Sequence, residues 1–432
     1  MTNIEAALDR IAARRPRIID LSLDRVHAAL DRLGAPHRAL PPVFHVAGTN
    51  GKGSTIAFLR AMLEAAGKSV HVYTSPHLVR FNERIVLAGE EISDEALINA
   101  LDAVDRAVGD EKLTYFETIT CAAFVAFSQM AADYLILEVG LGGRLDATNV
   151  LDKPLAAAVA PVDIDHEKFL GDTIGAIAAE KAGIFRRGAP AVIGRQSEDA
   201  LAVLLRHAEE CGANAFAMGR DWDAYFERGR FVFQDDVGLL DLDAPRLPGA
   251  HQAENAGLAV AALRAAGVAL DDRVMSNGLA GATWPGRLQR LTQGPLIDIA
   301  EALLGEAPEI WLDGGHNPHA GRAVAAAMAD MEARAARPLV LISGMQANKD
   351  AYGFFANFAG VAKRVCVVAA DQEAAAPTND IANAARAAGL VASEHEHLQD
   401  AMRAACGSGK PTPRILICGS LYLAGDVLRD NA

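Results

Sequence analysis

The sequence lacks the features of a membrane-embedded, secreted or nucleic-acid-binding protein. It contains no uncharged apolar run of the roughly 20 residues that a membrane helix needs. Its amino-terminal segment mixes charges throughout, so we expect no secretory leader. Acidic residues (55) outnumber basic ones (41), and the net charge of -14 argues against broad contact with nucleic acid or an anionic membrane. One local anion pocket is still compatible with that charge.

Cysteine is also scarce. The five cysteines are scattered and include no Cys-x-x-Cys pair, a pattern typical of reduced thiols in a cytoplasmic protein. Apolar sequence, in contrast, is abundant: 51% of the 432 residues are hydrophobic and 22% are charged, as in soluble globular proteins. Because a chain of this length exceeds one ordinary core, we expect two domains.

Short apolar segments alternate with alanine-rich helical patterns, which indicates parallel βαβ units and an α/β fold. A segment rich in proline and glycine, 282–295, interrupts this alternation, and we place the domain boundary there, giving domains 1–293 and 294–432. Near 222–242 the pieces shorten, which predicts a small antiparallel excursion. The predicted strands are 43–48, 69–75, 134–140, 155–164, 190–194, 309–315, 338–345, 364–370 and 414–420.

Polar residues follow the carboxyl ends of several predicted strands. Gly48–Ser54, Ser75, Glu138, His166 and Asp313 all occupy such positions. In an open parallel sheet this edge is where ligands bind, so these residues mark the candidate site.

The segment FHVAGTNGKGST, 44–55, resembles a phosphate-binding loop. It departs from the strict pattern because Val46 replaces the first glycine and Gly53 replaces the final serine or threonine. Three glycines nevertheless free the backbone to turn, and Lys52 supplies a charge for phosphates. Ser54 opens a helix whose amino end favours anions. The alternative is a structural glycine-rich turn.

Two further residues, Glu138 and His166, carry possible metal chemistry. Glu138 ends an apolar strand, where a carboxylate needs a cation or a donor: Mg²⁺ beside a nucleotide would serve, and a salt bridge to Arg144 is the alternative. His166 lies among three acidic residues, which fits either a metal ligand or a solvated acidic turn. Lys181 lies on a predicted helix and by itself indicates only a solvated face.

The segment WLDGGHNPHAG, 311–321, is the corresponding feature of the second half. Asp313 ends a strand and could hold a ribose or a base edge, while His316 could hold a carboxylate. A plain strand-to-helix turn fixed by Asn317 is the alternative.

Eight segments then occur in order: HVAGTNGKGST, YTSPHLVRFNERI, TYFET, LEVGLGGRLDATN, DHEKFLGDTIGAIAAEKAGIF, HQAENAGLA, PGRLQRL and DGGHNPHAG. Together they resemble the folylpolyglutamate synthase/dihydrofolate synthase family, a branch of the Mur ligases. The resemblance runs from about residue 18 to the carboxyl end. LEVGLGGRLDATN is specific to this branch.

The resemblance implies a P-loop NTPase-type domain, like the central domain of Mur ligases, that carries a pterin pocket. A Rossmann-like glutamate-binding domain would follow it. It implies a ligase that uses ATP to phosphorylate a pterin-linked carboxylate, after which the amine of L-glutamate displaces phosphate. Dihydropteroate, tetrahydrofolate and polyglutamated folates are the implied substrates, and we expect a monomer.

The resemblance also implies roles by position. The ATP phosphates would be bound by Thr49, Asn50, Gly51, Lys52, Gly53 and Ser54, and further ATP contacts would come from Asn255, Arg287 and Asp313. Two Mg²⁺ sites are implied, with Ser75 and Glu138 at the first and His166 and Lys181, a lysine that the family carbamylates, at the second. The pterin pocket would include Thr114, Tyr115, Phe116, Glu117, Leu145, Asp146 and Ala147. His316 and Ser420 are linked to glutamate binding, and the implied catalytic set is Lys52, Glu138, His166, Lys181 and His316.

The sequence departs from the family at a few positions. Gly315 stands where alanine is usual, and Gln346 and Asn348 stand where leucine and aspartate are usual. Three alternatives stay open: another Mur-type ligase, a monofunctional folylpolyglutamate synthase, and a non-catalytic nucleotide-binding protein. LGGRLDATN weighs against the first, and the intact catalytic set weighs against the last.

Overall fold

The computed structural model describes residues 3–14, 21–109, 113–369, 374–407 and 411–431. Their contacts form two compact units. One comprises the described residues up to Arg246 together with Ala253–Ala282. The other comprises Leu247–Gln252 together with the described residues from Thr283 onward.

The helices and strands follow the alternation that the sequence predicts. Those up to residue 217 are α1 (Asn3–Arg14), α2 (Asp24–Arg32), β1 (Val43–Ala47), α3 (Lys52–Ala65), β2 (Val70–Tyr73), β3 (Ile85–Leu87), β4 (Glu90–Glu91), α4 (Asp94–Val108), α5 (Tyr115–Ser128), β5 (Tyr134–Glu138), β6 (Ala156–Val159), α6 (Glu167–Leu170), α7 (Ile174–Ala182), β7 (Pro190–Ile193), α8 (Glu198–Cys211) and β8 (Asn214–Ala217).

The remaining elements are β9 (Trp222–Glu227), β10 (Arg230–Asp235), β11 (Leu239–Asp243), α9 (His251–Ala265), α10 (Asp272–Gly281), β12 (Gln289–Leu291), α11 (Pro295–Leu304), β13 (Glu309–Leu312), α12 (Pro318–Arg334), β14 (Leu339–Ser343), α13 (Ala351–Ala356), β15 (Ala362–Val368), α14 (Thr378–Ala387), β16 (Val391–His395), α15 (Leu398–Cys406), β17 (Arg414–Cys418) and α16 (Leu421–Asp430).

An eight-stranded sheet forms the centre of the first unit, in the order β4-β3-β2-β5-β1-β6-β7-β8. Neighbouring strands from β2 to β8 are parallel. β1 and β6 consist of buried residues throughout, as expected for central parallel strands covered on both faces. Several helices begin at a serine, threonine or aspartate whose side chain accepts from the first turn, as Ser93 does for α4 and Thr114 for α5.

Two apolar cores cover this sheet. One joins Leu101 of α4 and Phe124 of α5 to Leu135 of β5. The other joins Ile177 of α7 to Val159 of β6. The predicted antiparallel excursion is confirmed as the three-stranded sheet β11-β10-β9, which we call the small sheet.

The second unit is built on a six-stranded sheet in the order β12-β13-β17-β14-β15-β16. All of its neighbouring pairs are parallel except β12 with β13. Phe354, Phe355 and Phe358 pack with Leu341 and Leu416 in its core. Both units therefore confirm the predicted α/β class.

The predicted strands pair parallel with one another. Antiparallel pairs occur at the sheet edges, where β3, β4 and β12 are short strands that the sequence pattern does not predict. The predicted strand 155–164 is too long: β6 ends at Val159, because Pro161 has no N–H for a ladder and its carbonyl accepts from Thr49 and Asn50. The sequence pattern does not predict β8 and β16, since both are edge strands with few buried residues. Residue 370, the last of one predicted strand, lies outside the described residues.

Within the described part of the chain, no helix combines the length and apolar character that a bilayer crossing requires.

Candidate active site

The phosphate-loop candidate connects β1 to α3 at the carboxyl edge of the eight-stranded sheet. Gly48 and Gly51 have φ values of 147° and 87°, in the region that favours glycine. A Cβ at Gly48 would lie 2.8 Å from Ala160 Cβ, and one at Gly51 would lie 2.4 Å from Asn255 Oδ1. The glycines therefore allow both the turn and a close approach of the loop to β6 and α9.

The backbone of this loop divides its donors between two tasks. The N–H groups of Thr49 and Asn50 donate to Pro161 O at 2.9 and 3.3 Å, so they hold the loop against the segment after β6. The donors oriented for an anion are those at the start of α3, where the first helical N–H groups have no carbonyl one turn earlier.

Lys52 and Glu138 meet beside the loop. Lys52 Nζ donates to Gly48 O at 3.1 Å and lies 3.9 Å from Glu138 Oε1. Glu138 is 5% exposed, and its Oε2 accepts from Ser75 N at 3.1 Å. The residue offered as an alternative partner, Arg144, pairs with Glu180 at 2.8 Å. Two residues predicted for the first Mg²⁺ site, Ser75 and Glu138, are thus brought together.

Lys181 is not a solvated lysine. It is 4% exposed on α7. Burial, and secondarily the positive charge of Lys52, lower the pKa of its amine to about 7, against a smaller opposing effect of Asp165. The structure therefore gives Lys181 an unusual environment that the sequence alone does not reveal.

His166 lies on the exposed side of the same region. It precedes α6 with a φ of 56°, and its N–H donates to Asp165 Oδ1 at 2.8 Å. Among the described residues, no three histidine, cysteine, aspartate or glutamate side chains come close enough together to hold a metal. A second metal would therefore need a ligand of another kind beside His166.

The motif LGGRLDATN, 141–149, packs against the end of α7. A Cβ at Gly143 would lie 2.8 Å from Glu180 O, and one at Gly183 would lie 2.4 Å from Arg144 Cβ. Asn149 Nδ2 donates to both Arg144 O and Gly183 O at 3.0 Å. Gly143 of the motif and Gly183 after α7 are the sequence signal for this contact, because only residues without side chains allow two backbones to approach so closely.

Two acidic residues of the predicted pterin pocket, Glu117 and Asp146, have carboxylates that bond to other residues of the protein. Glu117 Oε2 accepts from Thr114 N at 2.7 Å in a capping box, and Arg25 Nη2 pairs with Glu117 Oε1 at 2.8 Å. Asp146 accepts from Leu141 N at 2.8 Å and Thr148 Oγ1 at 2.6 Å. Burial raises the pKa of Asp146, and these hydrogen bonds oppose that rise.

The apolar members of the predicted pocket have a different environment. Tyr115, Phe116 and Leu145 are half-buried, whereas Ala147 is buried. A Cβ at Gly140 would lie 2.3 Å from Phe116 Cζ. The position of the Phe116 ring therefore depends on the absence of a side chain at Gly140.

In the second unit, Asp313 follows β13 and holds the turn before α12. It is 5% exposed, and its carboxylate accepts from Leu288 N at 2.9 Å and Gly315 N at 2.7 Å. Burial raises the pKa of Asp313, whereas the charge of Arg287 lowers it.

His316 and Ser420 lie at the starts of the adjoining helical segments of this unit. His316 Nδ1 lies 2.9 Å from Gly314 O, so this nitrogen donates and carries the proton. Ser420 caps α16 and accepts from Tyr422 N at 3.1 Å. The predicted residues Asp313, His316 and Ser420 thus all follow the carboxyl ends of neighbouring strands, β13 and β17.

Comparison with known proteins identifies the class. Residues 46–263 match the Mur ligase middle domain, and residues 301–421 match the Mur ligase glutamate ligase domain. The chain has the fold and both domains of a Mur ligase.

Relatives narrow the class further. The Escherichia coli (strain K12) protein named dihydrofolate synthase/folylpolyglutamate synthase is 36% identical over 420 residues, which cover 95% of this chain and 92% of the relative. The structure of E. coli FolC in complex with DHPP and ADP superposes with a TM-score of 0.87 at 34% identity, covering 99% of this chain and 97% of the other.

A bifunctional folylpolyglutamate synthase/dihydrofolate synthase with Mn, AMPPNP and L-glutamate bound superposes with a TM-score of 0.84 at 32% identity, covering 99% of this chain and 97% of the other. The chain belongs to the dihydrofolate synthase/folylpolyglutamate synthase family of Mur ligases and is an enzyme of the ligase class. The resemblance predicted from the ordered motifs is confirmed.

Proposed function

We propose that the chain is an ATP-dependent ligase that joins L-glutamate to dihydropteroate, giving dihydrofolate, and to tetrahydrofolate or polyglutamated folates. The observation that carries the proposal is the group formed by Lys52, the buried Glu138 and the Ser75 N–H at the amino end of α3. A cation, a carboxylate and helix N–H groups around one point are what phosphoryl transfer to a carboxylate requires.

The reaction proceeds in two steps. An oxygen of the pterin-linked carboxylate attacks the γ-phosphorus of ATP, forming an acyl phosphate as the bond to ADP breaks. The amine of L-glutamate then attacks the acyl carbon, loses a proton and expels phosphate, leaving an amide. Residues 49–54 form the loop that binds the ATP phosphates, through the N–H groups at the start of α3, with Lys52 directed to the transferred phosphoryl group.

Ser75 and Glu138 are suited to a Mg²⁺ ion at this position. Both supply oxygen ligands of the kind that the ion prefers, and the Ser75 N–H to Glu138 Oε2 hydrogen bond links their segments. When bound, Mg²⁺ would neutralise part of the phosphate charge. The protein's own contribution is to hold the Glu138 carboxylate beside the Lys52 ammonium, at 3.9 Å.

Lys181 is proposed to be carbamylated and, with His166, to hold a second Mg²⁺. The uncharged amine attacks CO₂, forming an N–C bond and releasing a proton, and a pKa of about 7 makes that form available near neutral pH. The modification also replaces the repulsion between the buried Lys181 and Lys52 by attraction between an anion and Lys52. Burial and the neighbouring cation are the support for this role.

The remaining residue roles are proposed from positions that match the motifs of the family. Asn255, Arg287 and Asp313 contact ATP, and His316 and Ser420 contact glutamate. Thr114–Glu117 and Leu145–Ala147 form the pterin pocket, in which Phe116, Leu145 and Ala147 contact substrate while Glu117 and Asp146 hold the walls, because their carboxylates already accept protein hydrogen bonds. Residues 1–293 would act on ATP and pterin and 294–432 on glutamate, in a monomeric cytoplasmic enzyme.

The direct test measures phosphate release with MgATP and L-glutamate, in parallel with dihydropteroate and with tetrahydrofolate. Release with both acceptors is the expected result. Release with tetrahydrofolate alone would support the monofunctional alternative. Release with neither would reject the folate assignment, and peptidoglycan precursors would then test another Mur-type ligase.

A further inference from the structure

The small sheet, residues 222–243, contributes no residue to the proposed chemistry, yet it packs on the helix that carries Asn255. We infer that the small sheet is a positioning element for ATP binding: it fixes α9 so that Asn255 lies against the phosphate loop. The inference rests on the proposed role of Asn255 as an ATP contact.

The first support is the two-sided packing of α9. Asn255 contacts the phosphate loop, since a Cβ at Gly51 would lie 2.4 Å from Asn255 Oδ1. Gly257 lies two positions further, on the nearly opposite side of the helix. A Cβ there would lie 2.4 Å from Ala224 Cβ and 2.9 Å from Trp222 Cζ3. Helix α9 is therefore held between the loop and the small sheet with no room for one additional methyl group.

Ion pairs strengthen the same attachment near both ends of α9. Arg195, which follows β7, donates to Glu254 of α9 at 2.7 Å and to Asp223 of the small sheet at 3.3 Å. Arg264, in the last turn of α9, pairs with the buried Asp235 of β10 and lies 5.4 Å from the centre of the Phe233 ring. The small sheet thus limits movement of the helix along its length.

The small sheet is itself anchored to the large one. Trp222 is 3% exposed, stacks on Phe233 and donates through Nε1 to Phe216 O of β8 at 3.1 Å. The main sheet therefore opposes displacement of the small sheet away from α9. An added atom at Gly257 must instead move α9 relative to the phosphate loop.

The decisive variant is Gly257→Ala in the full-length enzyme. We expect the KM for ATP to rise by roughly tenfold, since overpacking of this kind costs about as much as a tenfold change in affinity. The kcat at saturating ATP and the KM for glutamate should change by less than about twofold, because Asn255 is displaced rather than removed. Binding of a fluorescent ADP analogue, measured without acceptor, should weaken by the same factor.

Two matched variants accompany it. Gly281→Ala, at the end of α10, adds the same methyl group where nothing lies within 4 Å, and should leave every parameter unchanged. Ala224→Gly combined with Gly257→Ala removes the nearest colliding atom and should restore part of the lost affinity. Should Gly257→Ala not fold, Arg195→Gln tests the same attachment from the surface, with an expected weakening of about twofold.

The outcomes separate the two proposals. A wild-type protein that binds no nucleotide analogue would reject the proposed function itself. A wild-type protein that binds it normally, with folded Gly257→Ala or Arg195→Gln of equal affinity, would overturn only the role of the small sheet. Equal rises in the KM values for ATP and glutamate would also overturn it, because they would indicate general damage.

Discussion

Two carboxylates of this enzyme occupy equivalent places in the sequence pattern and have different surroundings. Glu138 ends β5 in the first unit, Asp313 follows β13 in the second, and each is 5% exposed. Glu138 lies 3.9 Å from the Lys52 ammonium. Asp313 accepts two backbone N–H groups, from Leu288 and Gly315. Position at the end of a strand thus accounts for burial, whereas the neighbouring segments decide which groups face the carboxylate: a lysine and one N–H group at Glu138, and two N–H groups at Asp313.

Of the variants that test this difference between the two carboxylates, Glu138→Gln should have the largest effect. The amide keeps the shape and can still accept from Ser75 N, but it removes the charge beside Lys52. We expect phosphate release to fall by about 100- to 1000-fold with little change in stability, because a preorganised charge is lost from the reacting centre. The measurement is initial-rate phosphate release, with denaturant unfolding as the check on folding.

Glu198→Gln, at an exposed position in the first turn of α8, is the matched control and should behave as wild type. Undiminished turnover in Glu138→Gln would show that its charge is not needed.

Lys181→Ala tests a second charged residue of the proposed site in the first unit, the site to which Glu138 belongs. Activity should fall by roughly 100-fold, and added acetate or propionate should restore part of it by supplying a carboxylate in the space that the side chain leaves. Lys153→Ala, an exposed lysine of the same unit, is the control. Near-normal activity in Lys181→Ala, or a loss that short carboxylates do not relieve, would contradict the carbamate role.

Asp313→Asn tests the other carboxylate. One oxygen becomes an NH₂ group that cannot accept, so the N–H of Leu288 or of Gly315 loses its partner. We expect the free energy of unfolding of the second unit to fall by about 1–3 kcal/mol. Denaturant midpoints measure it, and Asp298→Asn on the exposed side of α11 is the control. Unchanged stability together with weakened ATP binding would assign Asp313 to the ligand and not to the turn.

The smallest effect concerns acid stability, in which the two units are alike. Burial, assisted by the charge of Arg186, lowers the pKa of His45 in β1 to about 3, from 6.5 in the unfolded chain. Burial likewise lowers the pKa of His251 in the second unit to about 4. Because the folded pKa is depressed, the unfolded chain binds more protons between these values, so this stabilisation is complete above 6.5 and declines as the pH falls toward 3.

His45→Gln should therefore reduce the dependence of stability on pH, by at most about 1.4 kcal/mol per pH unit. Denaturant unfolding near pH 7 and near pH 5 measures the slope. An unchanged slope would show that folding does not lower the pKa of His45.

The sequence predicted the central strands and the edge of the sheet at which the site lies. Val43–Ala47 and Tyr134–Glu138 are mostly apolar, and the glycines and Lys52 of the phosphate loop follow the first of them directly. Such features are local, because strand propensity and turn geometry depend on neighbours in the chain. Edge strands such as Val391–His395 escaped prediction because exposed residues leave no apolar pattern.

What the sequence by itself determined is therefore the α/β alternation, the phosphate loop and, through eight ordered motifs, the family. Only the tertiary structure decided that Lys181 is buried beside Lys52, that Asn149 bridges the backbones of Arg144 and Gly183, and that Gly257 brings α9 against the small sheet. The physical reason is that burial, a shifted pKa and steric contact are produced by segments distant in the chain. No local pattern contains them, whereas helices, strands and turns are largely encoded within a few residues.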